Sequence, residues 1–478
     1  MTRFTVLSIL VILVACVPQK QWRTEPAYPA AVVPTGDVEK RFVIPPDHEK
    51  NRIYSLAFVE FKSNGELWDK RQLDDALHSI DEADERSHHH ALVIAFLHGW
   101  KNNASQSNNN VLDFRRQLNR IAAGACQSDV THCGVVGIYL AWSGDIVTRE
   151  FNTVRNLTYF NRRNVATHVA VTPISDTLFA VMKQVKTGPG RETNHSVVVG
   201  HSFGALVLEY SISQRMQELG DELHKELGKQ STLATYNLKT LEDFADLVVL
   251  INQAAPATHA VTLLSRYRDD LAKVNLLRPP AKSNCAPGDS SQDCKELTRP
   301  LILSISSESD LATRAVLPVA ETVDPPKGRP KTLPPDVTLP PGLDIKKVYT
   351  TTAAFTPQLH SHLLTKCEGG DCTPCLKDDK YYIPVSIVLP AYAPGSSSNT
   401  DTPIKYCLTR TRDRNAWNHT PYWIFTIPTE IVPDHGTIFT DRFTDFLMAF
   451  LPPLYNFSPT EPAMPAQKMQ AIQPVQNP

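Results

Sequence analysis

Short apolar runs alternate along most of the chain with stretches whose apolar positions recur every three or four residues. Ile53–Phe61 reads as a strand, and Ala91–Leu97 is continuously apolar, the composition of a strand buried on both faces. Leu67–Ala83 reads as a helix between them, and Val111–Ala123 sets Val111, Phe114, Leu118 and Ile121 on one helical face. Further strands are predicted at Val135–Ala141, Ser196–Val199, Leu247–Asn252, Leu301–Ile305 and Tyr422–Ile427. Helices are predicted within Arg163–Val185 (interrupted at Pro173), at Ala205–Leu219 and at Asp441–Leu451. Apolar strands alternating with helices predict an α/β domain with a mostly parallel central sheet flanked by helices. Two irregular intervals interrupt the alternation, about 265–299 and 318–418, the longer holding the Pro-rich stretch Pro325–Pro341. Intervals of that length in a compact domain are functional insertions, such as lids, or disordered loops. The longer one is a candidate lid before the last strand.

The N-terminus carries a different signal. Arg3 precedes the run Val6–Ala15, apolar apart from Ser8. About ten such residues suit the core of an export signal and fall short of the roughly 20 that span a bilayer. The run ends in Leu13-Val14-Ala15-Cys16, which resembles the bacterial lipobox. The resemblance implies cleavage before Cys16, acylation of its thiol and new amine, and anchoring of an exported lipoprotein at a membrane. The alternative is an ordinary signal peptide followed by a cysteine. Val17 stands where an Asp would retain a lipoprotein at the inner membrane, so the resemblance points to the outer membrane or cell surface. The expected organisation is a signal at 1–15, the lipidated cysteine with a Pro-rich tether at 16–46, a folded domain at 47–457 and a disordered tail at 458–478.

Removing Cys16 from nine cysteines leaves eight, in local groups: Cys126 with Cys133, Cys285 with Cys294, and Cys367, Cys372, Cys375 with Cys407. Even, local groups are the usage of loop staples in an oxidising compartment. The pairing within the last group stays open. A zinc site there, with His360 or His362, is the weaker alternative, because no paired Cys-x-x-Cys set is present. With 48 Lys and Arg against 50 Asp and Glu, the formal charge of -2 offers no basic surplus for nucleic acid or an anionic surface.

The chemistry gathers around Gly200-His201-Ser202-Phe203-Gly204. The pattern is weak alone, but here an apolar strand leads into it and a helix leads out. That places Ser202 on a sharp strand-to-helix turn at the carboxyl end of the sheet. With this context the chain resembles the α/β-hydrolase superfamily, esterases and lipases in particular, from about Arg52 to Leu451. The resemblance implies a Ser, acid, His chain order with Ser202 as nucleophile. It assigns His435, in Val432–Gly436 after the last strand, as the base. The acid follows Leu301–Ile305, where Ser306-Ser307-Glu308-Ser309-Asp310 offers two carboxylates; Asp310 is expected and Glu308 is the alternative. Phe96-Leu97-His98-Gly99-Trp100 resembles the family's oxyanion segment, which makes the backbone N–H groups of Trp100 and Phe203 the expected donors.

Other polar residues receive structural readings. His201 should point away from Ser202, and Asp434 should cap its own loop. His360, His362 and His419 are expected in lid or structural roles, and His88–His90 in a solvated loop. The implied activity is ester hydrolysis by a membrane-anchored serine hydrolase acting on a small-molecule or lipid ester. No metal or organic cofactor is called for. The same residues would serve a thioesterase, peptidase or acyltransferase, and a non-catalytic anchored binding protein could retain the fold.

Overall fold

A computed structural model describes residues 20–23, 54–126, 132–144, 159–170, 173–214, 244–265, 300–323, 333, 337, 339–340, 342–367, 385–389, 404–411 and 422–447. Ten strands lie among them: β1 (Tyr54–Glu60), β2 (Leu92–Leu97), β3 (Val135–Ala141), β4 (His195–His201), β5 (Leu247–Ile251), β6 (Ile302–Ser307), β7 (His362–Lys366), β8 (Val385–Leu389), β9 (Ile404–Arg410) and β10 (Tyr422–Ile427). The helices are α1 (Lys70–Arg86), α2 (Asn109–Ala125), α3 (Tyr159–Ala170) and α4 (Pro173–Lys186). They continue with α5 (203–214), α6 (258–265), α7 (Leu317–Val323), α8 (Ile345–Thr350) and α9 (441–447).

Seven strands form one sheet in the order β1-β3-β2-β4-β5-β6-β10, every neighbour parallel. Every residue of β1, β2, β3, β5 and β6 is buried, because helices cover both faces, and this is why those runs lack polar alternation. The predicted strands match in place, with ends shifted by one or two residues. Helix starts follow their caps: the Asp69 carboxylate accepts from the Arg71 N–H ahead of α1, and the Asn108 side chain accepts from the Asn110 N–H ahead of α2. The break expected at Pro173 is present. α3 stops at Ala170, and Pro173 opens α4 where a missing N–H costs nothing.

The interval 318–418 is more ordered than expected. It carries α8 and a three-stranded antiparallel sheet, β7-β9-β8. β7 is short and mixes one buried histidine with exposed polar positions, so it leaves no apolar run to read. Tertiary contacts hold it instead: Ser361 Oγ accepts from the Ile424 N–H at 2.8 Å, and the His362 ring stacks on Trp423 at 3.9 Å. A buried ion pair, Arg163 to Glu321 at 3.0 Å, ties α3 to α7. Cys126 and Cys133 form the expected disulfide. Cys367 and Cys407 are each disulfide-bonded. Cys16, Cys285, Cys294, Cys372, Cys375 and His419 lie outside the described residues, as do 266–299 and the C-terminal tail. Within the stretch expected to form the tether, residues 20–23 lie against the domain, where Glu60 accepts from two of their backbone N–H groups. Among the described residues no single helix is long and apolar enough to cross a membrane.

Candidate active site

All seven strands of the large sheet run the same way, so their carboxyl ends share one rim. Three of the expected residues meet there. Ser202 follows β4 with a positive φ of 56°, a conformation that costs a non-glycine residue about 1–3 kcal/mol. The turn holds it in place: the Ser202 N–H donates to the Ile251 carbonyl, and its own carbonyl accepts from Leu206 and Ala254. Two glycines at the turn, Gly204 and Gly99 from the segment after β2, are required by close approach. A methyl group at Gly204 would sit 2.2 Å from the Leu97 carbonyl oxygen, and one at Gly99 would sit 2.8 Å from Ser202 Cβ.

From Ser202 a continuous line of hydrogen bonds runs inward. Ser202 Oγ lies 2.9 Å from His435 Nε2, and His435 Nδ1 lies 3.0 Å from both carboxylate oxygens of Asp310. With Nδ1–H donating to Asp310, Nε2 is left to accept the serine hydroxyl proton. Asp310 is fully buried, and burial acts to raise its pKa. The bonds and charge of His435, with two bonds from Thr313, outweigh that effect and hold it below the usual carboxylate range. Glu308, the alternative acid, is exposed, and its backbone N–H bonds to the Ile427 carbonyl. The β6 loop therefore brings Asp310 to His435 and leaves Glu308 outside.

Gly99 packs against the Ser202 turn, so the segments that precede Trp100 and Phe203 touch around the serine, with the two rings 6.3 Å apart. His98 is buried between Tyr139 and Trp142, bonds through Nδ1 to the Gly99 carbonyl, and is pushed down to about 4 by burial. It is therefore a neutral brace for the segment that leads to Trp100. His360 bonds to the Ala354 carbonyl and His362 to Ser361 Oγ, both inside the structure. His88, His89 and His90 are exposed. Asp434 accepts from the N–H groups of Gly436 and Thr437, as a loop cap does. Among the described residues no group of three His, Cys, Asp or Glu is placed to hold a metal ion.

Sequence reasoning missed the residues that grip the histidine loop. The side chain of His201 bonds to the neighbouring loop: its Nε2–H donates to the His435 carbonyl at 2.7 Å. Burial, then the neighbouring His435, push His201 down to about 3, so it stays neutral and remains a donor through one nitrogen only. Asn252, at φ 48° after β5, donates to the carbonyls of Asp434 and His435, both at 3.1 Å, and accepts from the Ser307 N–H. Ser307 and Ser309 donate to the carbonyls of Val432 and Pro433. The only trace of this in the sequence is an Asn at a strand end, a residue type that tolerates the left-handed region. No family model, curated protein or solved structure significantly matches the chain.

Proposed function

We propose that this chain is an α/β-hydrolase of the esterase and lipase kind, a membrane-anchored serine hydrolase that cleaves carboxylic esters through an acyl-enzyme. The observation that carries the reading is the unbroken bond line from Ser202 Oγ through His435 to buried Asp310. The chemistry follows from it. Ser202 Oγ attacks the acyl carbon while its proton passes to His435 Nε2, and the C–O bond to the alcohol breaks as that proton is delivered to the departing oxygen. Water then gives a proton to His435 as its oxygen bonds to the acyl carbon, and the bond to Ser202 Oγ breaks as His435 returns that proton to Oγ, releasing the acid. The charged Asp310 holds the Nδ1–H tautomer and stabilises the imidazolium formed at each step. Negative charge on the tetrahedral oxygen would be met by the backbone N–H groups of Trp100 and Phe203, each contributing about 3–4 kcal/mol. Export and lipidation at Cys16 complete the reading and rest on the lipobox resemblance.

A fluorophosphonate probe tests the central claim: Ser202 is expected to label, and Ser202→Ala is expected not to. A folded protein that resists labelling would overturn catalysis and favour an anchored binding protein. A panel of p-nitrophenyl esters, acyl thioesters and peptides then reads the reaction class, with ester turnover expected to lead. Radiolabelled palmitate is expected on the wild type and absent from Cys16→Ser.

A further inference from the structure

The described residues nearest the proposed anchor, Lys20–Arg23, are fastened to the catalytic rim. The Glu60 carboxylate accepts from the backbone N–H of Trp22 at 2.9 Å and of Arg23 at 2.8 Å, while Gln72 Nε2 donates to it at 3.1 Å. Arg23 is buried, with its guanidinium 3.8 Å over the Phe58 ring. Beside this clamp Trp22 is partly exposed, and Lys20 Nζ lies 4.7 Å from its ring centroid, the pairing of an amphipathic ring and a cation that suits a lipid headgroup layer.

Glu60 ends β1 in register with Ala141. Following the pairs across the sheet puts it level with His201, one residue before Ser202. Three strand spacings separate β1 from β4, about 14 Å at about 4.8 Å each. Cys16 precedes Lys20 by four residues, a contour of at most about 14 Å. On the other side of Ser202, two spacings away, β6 leads past Asp310 into Leu311, Val316 and Val319, all large apolar side chains left exposed. The rim thus has a membrane-tied point at one end and an apolar surface at the other, with the serine between them.

Building on Cys16 as the lipid-bearing residue and Ser202 as the nucleophile, we infer that the Glu60 clamp holds the catalytic rim against the bilayer, so that the substrates are membrane-resident esters.

The test uses the lipidated full-length protein in vesicles, with a fluorescent fluorophosphonate on Ser202 as energy donor and a dye-labelled lipid as acceptor. A flexible Gly/Ser insertion of about 20 residues between Gln19 and Lys20 adds a coil of about 25 Å between anchor and clamp. It is expected to lower energy transfer and to cut hydrolysis of a vesicle-borne fluorescent phospholipid ester by roughly tenfold, with turnover of a soluble butyrate ester unchanged. The same insertion after Pro34 leaves the clamp close to the anchor and is expected to change neither signal. Equal effects of the two insertions, or none from the first, would overturn the clamp. Absence of labelling would instead sink the hydrolase reading, and labelled protein that fails to float with vesicles would sink the anchor, so the three failures are distinguishable.

Discussion

The two edges of the large sheet each hold a buried aspartate facing a histidine Nδ1, yet only one edge reads as a catalytic site. At the amino edge Asp84 lies 3.1 Å from His89, and at the carboxyl edge Asp310 lies 3.0 Å from His435. The difference is where the rest of each network goes. Asp84 also accepts from Asn194 Nδ2 at 2.7 Å and Arg191 Nε at 3.0 Å, and Asn194 turns back to cap the Ala91 N–H. Those bonds stitch α1, the β4 entrance and the β2 entrance together. Asp310 is served by Thr313 and His435, and the far nitrogen of His435 continues to a serine at a strained turn. A carboxylate–histidine pair is therefore not a signature of catalysis by itself. The outlet to a serine hydroxyl held on a strained turn is what separates the two edges.

The sharpest way to break this comparison is to disable both aspartates in turn. Asp310→Asn is expected to lower ester kcat about 10⁴-fold, through the wrong imidazole tautomer, while Glu308→Gln leaves it unchanged. The reverse outcome in steady-state assays would reassign the acid. Because the Asp310 carboxyl is held low, its contribution to stability is complete above the ordinary carboxylate range near 3.9. That contribution is lost as pH falls through the lower folded-state value. Acid unfolding should therefore begin at higher pH in the Asn variant. At the other edge, Asp84→Ala should cost about 3 kcal/mol of stability, read by denaturant titration, with kcat per folded molecule intact. A kcat loss there would mean the amino edge reaches the site.

A third buried carboxylate sharpens the contrast further. Glu209, in α5, accepts from the Tyr422 hydroxyl at 2.7 Å and from Gln253, and burial pushes it up to about 7. Its sign is opposite to that of Asp310. The folded state holds its proton longer than the unfolded chain, so stability is full below about 4.3 and declines as pH rises through 7. The decline should amount to about 3–4 kcal/mol, and Glu209→Gln should flatten it in thermal melts taken across pH 4–8. The smallest expected effect falls on the loop that presents His435. Asn252→Ala removes two donors to that loop and should lower kcat roughly tenfold, or about 1.4 kcal/mol, with KM and fluorophosphonate labelling retained. An unchanged kcat would show that His201, Ser307 and Ser309 suffice to hold it.

The sequence by itself determined the seven central strands and the turn that bears Ser202. Both are local: burial on two faces demands unbroken apolar runs, and a strand meeting a helix within five residues needs the glycines that stand there. The family resemblance, not a local rule, pointed to His435, while Asp434 read as a cap within the short loop between the last strand and the last helix. Which carboxylate faces His435 depended on how the chain turns after β6, and two residues' difference in sequence leaves Asp310 buried and Glu308 in solvent. The grip of His201 and Asn252 on the His435 loop joins residues some 180–230 positions apart, so no local pattern marks it. β7 carries no apolar run long enough to mark a strand, and its packing against β10 holds it in place. The docking of 20–23 was hidden because its bonds use backbone N–H groups, which every residue but proline carries, and only folding brings Glu60 to meet them.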